Sequence, residues 1–383
     1  MLPSFLLPGA EAPRTAILAL ADGTLFTGDA IGAEGHCAAH IVFNTAMTGH
    51  QEIITDPAYY QKILVFTFPH IGSTGVNPED DESGLAQVGG LVVRDCPSRV
   101  SNFRATQSLP EYLKAQGVVA ISGVDTRQLT RHLRDQYSTG ACILVGDDAE
   151  RAVALAREAA AKAGQSSAPN PALTTKPWLE GRWQLGQGYA VTSAQGPHLA
   201  VVDLGVKRSL LRALADTGCQ VTVVAPTATW EAIQASGAQG VVLSSGAGAA
   251  AQHTEAVELC RHLLAQEVPV LGVGLGSQVL ALAADASLER LAVGRHGLNH
   301  AVKVLATNRV AITTQNYCRA IDPGRLPAAM QVTHTSLFDG SIQGFTLADK
   351  PAIGVQAIMD GGPGPHDLIP VFSQFLDLLA AKQ

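Results

Sequence analysis

Apolar strand segments alternate regularly with amphipathic helical segments from residue 198 onward. The strand segments are 198–205, 220–224, 240–244 and 268–272, and the helical segments are 207–216, 229–236, 253–266 and 278–284. This alternation predicts a doubly wound, largely parallel sheet, which places the second half of the chain in the α/β class. Sites in such sheets lie at the carboxyl ends of strands. The informative loops are therefore 243–250 and 272–278.

The second of these loops contains a tight glycine-rich turn. Residues 272–276 read Gly-Val-Gly-Leu-Gly, and we expect the next helix to begin near Gln278. The apex of such a strand-to-helix turn has a strained backbone that, in enzymes, presents a nucleophile. The apex here is Gly274, which has no side chain. A plain glycine turn is an alternative. A dinucleotide fingerprint, Gly272-x-Gly274-x-x-Ser277, is disfavoured because it normally follows the first strand.

The first half of the chain has a different pattern, strand-rich with short turns between residues 16 and 146. Residues 15–26 predict a hairpin that turns at Asp22-Gly23. Further strands are expected at 63–68 and 90–93, and helices at 109–116, 126–134 and 149–163. Polar, proline-bearing residues 164–172 predict a linker. We therefore expect a mixed α+β domain at 1–148, a helix and linker at 149–196, and the doubly wound domain at 197–383.

Composition excludes several classes of function. The chain has 383 residues, a net charge of −7 and no lysine or arginine run, so we expect no nucleic-acid binding. No apolar stretch approaches the ~20 residues needed to span a bilayer, and the apolar residues 1–12 lack the basic region of a signal peptide. We therefore expect a cytoplasmic protein that does not bind membranes. The six scattered cysteines and the histidine spacing predict neither a metal site nor a cofactor site.

Several long motifs extend through both halves of the chain. They lie at 42–57 (V-F-N-T-A-M-T-G-H-Q-E-I-I-T-D-P), 67–77, 101–104, 124–131, 203–208, 280–282, 297–300, 314–316, 332–340 and 363–367. Together they resemble the small subunit of carbamoyl-phosphate synthetase over almost the whole chain. The resemblance implies an N-terminal small-subunit domain followed by a class I glutamine amidotransferase-like domain. It also implies a large, ATP-dependent subunit as partner, which receives ammonia from glutamine.

In this family a cysteine at the elbow attacks the glutamine amide, and a histidine and a glutamate complete the triad. The family elbow G-x-C-L-G-H-Q resembles residues 272–278, which puts Gly274 at the nucleophile position. The family's H-P-E resembles 358–360, which puts Ile358 at the base and Asp360 at the orienting acid. Glycine cannot form a thioester and isoleucine cannot accept a proton. The resemblance therefore implies a degenerate glutaminase site.

The former glutamine pocket carries further changes by the same resemblance. The family loop L-S-N-G-P-G-D-P reads L-S-S-G-A-G-A-A at 243–250, and Q-N-H-G-F reads Q-N-Y-C-R at 315–319. The positions assigned to the pocket are Ala46, Gly246, Gly248, Leu275, Gln278, Asn316, Cys318 and Arg319. These changes weigh against glutamine binding. Rescue of the chemistry by Cys318 or His366 remains an alternative.

Two functions follow from the resemblance and stay open at this point. The first is a small subunit without glutaminase activity, which acts as a structural or regulatory partner of an ammonia-using synthetase. The second is a paralogue recruited as a metabolite-binding or assembly protein. The sequence leaves open the pathway, whether arginine biosynthesis, pyrimidine biosynthesis or a specialised one.

Overall fold

A computed structural model describes residues 14–136, 140–162, 175–191 and 195–382. The predicted linker at 164–172 and the apolar residues 1–12 lie outside these ranges. The described residues divide into two units of packing. The first contains residues 14–44, 61–77 and 88–162, and the second contains 45–60, 78–87 and the residues from 175 onward.

Strands account for most elements of both units. The strands are β1 Thr15–Leu20, β2 Leu25–Ala30, β3 His36–Asn44, β4 Ile63–Phe66, β5 Gly90–Val92, β6 Val119–Ser122, β7 Gly140–Val145, β8 Lys176–Trp178, β9 Glu180–Gln184, β10 Gly188–Val191, β11 His198–Val202, β12 Gln220–Val224, β13 Gly240–Leu243, β14 Val270–Val273, β15 Leu288–Val304, β16 Val310–Ile321, β17 Met330–Ser336, β18 Ile342–Leu347 and β19 Lys350–Val355. The helices are α1 His50–Ile54, α2 Leu109–Ala115, α3 Thr126–Gln136, α4 Ala149–Ala161, α5 Arg208–Asp216, α6 Trp230–Ala235, α7 Thr254–Ala265, α8 Leu275–Ala283 and α9 Pro370–Ala380.

The first unit is a closed seven-stranded barrel in the order β1-β2-β6-β5-β4-β3-β7. The predicted hairpin is confirmed as β1 and β2, paired antiparallel. Side chains of β1 alternate between two cores, as a period of two requires. Leu18 and Leu20 belong to the core of the barrel strands, whereas Ile17 and Ala19 pack with Ala152 and Ala156 of α4. The mixed α+β class predicted for this half is confirmed.

The second unit is built on a ten-stranded sheet in the order β16-β15-β17-β18-β19-β14-β13-β11-β12-β8. Strands β11 to β14 and β19 pair in parallel. Helices α7 and α8 belong to the core on one face, and α5 and α9 to the core on the other. Val202 belongs to the core on one face and its neighbour Val201 to the core on the other. The predicted doubly wound arrangement is confirmed, with β14 as the fourth strand from β11 along the chain.

Two features of the second unit go beyond the strand–helix alternation. Strands β15 and β16 form a long antiparallel pair with register shifts at 290–295 and 297–300. Residues 45–60 and 78–87, which precede β11 by more than 100 positions, pack with this unit. Both features border the carboxyl ends of the parallel strands. Among the described residues, no helix is both long enough and apolar enough to traverse a lipid bilayer.

Candidate functional site

A one-residue elbow connects β14 to α8. Gly274 alone separates the two elements, with φ 56° and ψ −113°. The prediction that α8 begins near Gln278 is wrong, because the helix begins at Leu275. The N–H of Gly274 donates to the carbonyl oxygen of Val355 (2.8 Å), and that of Gly276 donates to Ser244 O (2.9 Å). These backbone hydrogen bonds hold the turn tightly, so α8 can form its first turn at once.

The glycines around the elbow are required by close backbone packing. A Cβ on Gly276 would overlap the carbonyl oxygen of Leu243 in β13. A Cβ on Gly272 would lie 2.6 Å from Gly276 O, closer than real Cβ atoms approach. The structure therefore has the strained strand-turn-helix conformation that presents a side chain in enzymes.

Isoleucine and serine side chains surround the apex of the elbow. A Cβ on Gly274 would lie 3.2 Å from both Ile358 Cδ1 and Ser245 Cβ. Ile358 is buried and is held by its N–H, which donates to Thr314 O (2.9 Å). The hydroxyl of Ser245 is buried and has no hydrogen-bond partner among the described residues. The structure thus brings Gly274 and Ile358 together and leaves no proton acceptor at position 358.

The side chain of Asp360 is buried and forms an ion pair with Lys207. Lys207 Nζ lies 2.9 Å from Asp360 Oδ1, and both side chains are at most 1% exposed. Lys207 also donates to Gly362 O, and the N–H of Gly362 donates to Asp360 Oδ1. Asp360 Oδ2 is buried without a hydrogen-bond partner among the described residues, and Ile358 has no side-chain N–H to donate to it.

Further buried carboxylates surround Lys207. Burial by itself lowers the pKa of Lys207, but Asp360, Glu82 and Asp56 outweigh it and raise that pKa. Burial raises the pKa of Glu82 to about 7, although Lys207 opposes the shift. Burial likewise raises the pKa of Asp56. Glu82 also accepts a hydrogen bond from the N–H of Ser209 (2.9 Å), so the cluster ties residues 78–87 to α5.

The positions that the family resemblance assigns to a glutamine pocket fall into two groups. In the first, Gln278 Nε2 donates to Arg319 O (3.0 Å) and to Gln356 Oε1 (3.3 Å), which ties the amide into the fold. Leu275 and Ala46 are buried, and Ala46 follows Thr45, whose N–H donates to His296 O. Gly246 packs against Leu204 O, and Gly248 has φ 89°.

The second group is a chain of polar side chains that starts at Cys318. Cys318 Sγ lies 3.5 Å from His296 Nε2, and His296 Nδ1 lies 2.6 Å from Asn316 Oδ1. Asn316 Nδ2 then donates to Asp56 Oδ2 (3.4 Å). Asn316 and Cys318 are two residues apart in one strand, so they share a face. His296 pairs directly opposite Asn316 on β15.

Sequence patterns identify Asn316 and Cys318 but not His296. The contacts of His296 with Asn316 and Cys318 depend on the register of β15 against β16, which the sequence does not specify. His366 lies elsewhere and packs against Gly361. No group of three or more histidine, cysteine, aspartate or glutamate side chains in the described part of the chain is arranged to hold a metal ion.

Comparison with known proteins identifies two family profiles. The profile described as carbamoyl-phosphate synthase small chain, CPSase domain, matches residues 18–143, and the class-I glutamine amidotransferase profile matches 200–378. The carbamoyl phosphate synthase small chain of Thioalkalivibrio sulfidiphilus is 45% identical over 95% of this chain and 97% of its own length. The small chain of Ralstonia nicotianae is 44% identical over 100% of this chain and 100% of its own length. The small chain of Vibrio cholerae is 44% identical over 96% of this chain and 98% of its own length.

Proposed function

The chain belongs to the family of carbamoyl-phosphate synthase small chains, and from that premise we propose that it is a small subunit that does not hydrolyse glutamine. It acts as a structural or regulatory subunit of a synthetase whose large subunit uses free ammonia. The match extends over both halves of the chain. The substitutions on which the proposal rests lie at Gly274, at 358–360 and in the loops 243–250 and 315–319.

The observation that carries this proposal is the apex of the elbow. The backbone at Gly274 has the nucleophile conformation, yet there is no side chain to attack a carbonyl carbon. Ile358 Cδ1 lies 3.2 Å from the place that a Cβ on Gly274 would occupy, so the base position holds a hydrocarbon. Covalent catalysis of amide hydrolysis requires a nucleophile and a base within hydrogen-bond reach of each other, and this elbow has neither.

The ion pair of Asp360 supports the same conclusion. A triad carboxylate orients its histidine by accepting a hydrogen bond. Asp360 Oδ1 instead accepts hydrogen bonds from Lys207 and from the N–H of Gly362. Removing Lys207 from Asp360 would leave a buried charge unpaired, which typically costs ~3–5 kcal/mol. Asp360 Oδ2 has no hydrogen-bond partner among the described residues, so the carboxylate is anchored beside Lys207 and position 358 offers no histidine for it to orient.

The test is reconstitution with the cognate large subunit. The two chains are co-purified, and carbamoyl phosphate formation is measured with glutamine and with ammonium as nitrogen source. We expect a stable complex and synthesis from ammonium only. Comparable synthesis from glutamine would overturn the proposal.

The Cys318→Ser variant is the matched control for this experiment. Glutamine-dependent synthesis that disappears in Cys318→Ser would reveal a nucleophile relocated to Cys318. Failure of the wild-type chain to associate with the large subunit would instead favour the recruited paralogue, which binds a metabolite or another assembly.

A further inference from the structure

The barrel unit contains a cavity of about 520 Å³ that the proposed function does not use. Its wall consists of the segments that follow β4 and β5 and one face of α3. Strands β4 and β5 pair in parallel, so their carboxyl ends open at the same edge of the barrel. The volume lies within the ~300–1,000 Å³ typical of small-molecule pockets.

Four arginines line this cavity, three of them from a single helix. Arg127, Arg131 and Arg134 are spaced i, i+4 and i+7 along α3, which places them on one stripe of the helix. Arg94, in the segment that follows β5, also lines the cavity. Thr126 and Thr130 also line the cavity, and the Thr130 hydroxyl donates to Thr126 O (2.7 Å). The arrangement combines several cations with hydroxyl groups around one volume.

These arginines are not neutralised by acidic residues of the described chain. Arg94, Arg127 and Arg131 form no ion pair there, and Arg134 pairs only with its exposed neighbour Asp135 (3.2 Å). Like charges at i, i+4 on a helix destabilise it. The stripe is therefore unfavourable for α3 alone, and a bound anion would reverse that cost.

The acidic residues nearest in the chain are already engaged. Asp125 caps α3 by accepting from the N–H of Gln128 (3.0 Å). Asp95, next to Arg94, accepts from His70 Nδ1 (2.8 Å). The net charge of the whole chain is −7, so general attraction of anions does not account for a positive cavity. The positive potential is local.

We propose that this cavity binds the phosphate groups of a small phosphorylated metabolite. Guanidinium groups match the geometry of phosphate oxygens in two-pronged hydrogen bonds, and hydroxyl groups complete such sites. Four cations exceed what one carboxylate would need, and they suit a ligand that carries two or more negative charges. The volume leaves room for the organic part of the ligand beside its phosphate. The site is separate from the elbow, so it does not depend on the loss of glutaminase activity.

The test measures binding of pyrophosphate and inorganic phosphate to the full-length chain by equilibrium dialysis. We expect saturable binding with one site per chain, tighter for pyrophosphate than for phosphate. The Arg127→Gln/Arg131→Gln double variant should lose at least tenfold in affinity, and Arg94→Gln alone should lose severalfold. Circular dichroism verifies that the variants are folded, since all three side chains are exposed.

The charge-matched control is Arg151→Gln/Arg157→Gln, which removes two exposed arginines from α4. This control should bind pyrophosphate as the wild type does. The proposal would be overturned if Arg127→Gln/Arg131→Gln bound pyrophosphate as tightly as the wild type. It would also be overturned if sodium chloride, at the ionic strength of the pyrophosphate solution, abolished pyrophosphate binding completely. Binding of a poly-glutamate peptide without binding of pyrophosphate would also overturn it, in favour of an acidic protein partner.

Discussion

At the scale of single residues, Gly274 has the backbone conformation of a strand-to-helix elbow and carries no side chain. Its φ of 56° lies in the region that favours glycine, and close packing leaves no room for a Cβ at its neighbours Gly272 and Gly276. The adjacency of Gly274 and Ile358 follows from the family resemblance. The contact of Cys318 with His296 does not, because it depends on the pairing of two strands.

Restoring the elbow cysteine alone should not restore glutamine hydrolysis. In Gly274→Cys, the new side chain meets Ile358 Cδ1 and Ser245 Cβ, and no base is present to increase the thiolate. We expect Gly274→Cys to release glutamate from glutamine no faster than the wild-type chain does. The measurement is a coupled glutamate assay with Gly274→Ser as the control. A rate clearly above that control would contradict the account of the elbow.

Cys318 should be the most reactive thiol of the chain near neutral pH. Burial raises the pKa of the other five thiols, to about 12 for Cys37 and Cys260 and to about 11 for Cys96 and Cys142, and it also raises the pKa of Cys219. An adjacent histidine favours the thiolate.

Alkylation by iodoacetamide, followed by peptide mass spectrometry across a pH series, measures this reactivity. His296→Gln should slow labelling at Cys318 and leave the other sites unchanged. His262→Gln on α7 is the control. Preferential labelling of any buried cysteine in the folded chain would count against the prediction.

At the scale of elements, local periodicity predicts helices and strands well where each buries one face against a neighbour. Strands β11 to β13 and helices α5 to α7 agree with the predicted segments to within a few residues. The start of α8 differs from its prediction because the hydrogen bonds that hold the elbow come from Ser244, which follows β13, and from Val355 at the end of β19. Long-range backbone partners of this kind leave no periodic signal in the sequence.

The contact between α8 and β13 should be sensitive to a single methyl group. In Gly276→Ala the new Cβ overlaps Leu243 O, so the helix must move away from the strand. Overpacking of this kind typically costs about 1–3 kcal/mol of stability. Gly324→Ala is the control, because its nearest atom is the side-chain oxygen of Asp322 at 3.2 Å. Chemical denaturation of both variants gives the comparison, and equal stability would contradict the packing argument.

The carboxylate cluster around Lys207 should make stability depend on pH. The folded-state pKa of Glu82 is raised from 4.5 to about 7, so the folded chain binds more protons than the unfolded chain between these values. The free energy of unfolding therefore falls as pH rises from about 4.5 to 7. Glu82→Gln should reduce this slope, because the amide resembles the protonated acid.

Denaturant unfolding at several pH values measures the slope. Glu258→Gln, an exposed residue of α7, is the control and should keep the wild-type slope. An unchanged slope in Glu82→Gln would assign the pH dependence to other groups.

At the scale of the whole molecule, packing does not follow the linear order of the chain. The sequence predicts domain boundaries at 148 and 196, whereas residues 45–60 and 78–87 pack with the sheet unit. They contribute Asp56 and Glu82 to the cluster around Lys207. Lys207 is fully buried, so it depends on these partners.

A fragment that begins at residue 197 should therefore fold poorly. It lacks Asp56 and Glu82, which leaves Lys207 with Asp360 as its remaining acidic partner in the cluster. We expect low solubility and a broad unfolding transition compared with the full chain. Differential scanning calorimetry of both proteins is the measurement. A fragment as stable and cooperative as the full chain would show that residues 45–60 and 78–87 are dispensable.

The sequence by itself determined the alternating strands and helices, the position of the elbow and the residue types available there. These are local properties, set by periodicity, by turn chemistry and by the side chain that each position carries. Only the tertiary structure decided that the first seven strands close into a barrel, that Lys207 pairs with Asp360, and that Cys318 lies beside His296. The two side-chain contacts join residues 153 and 22 positions apart. These contacts form only when strands pair in one register and when distant segments are buried together. No single segment of the sequence specifies either condition.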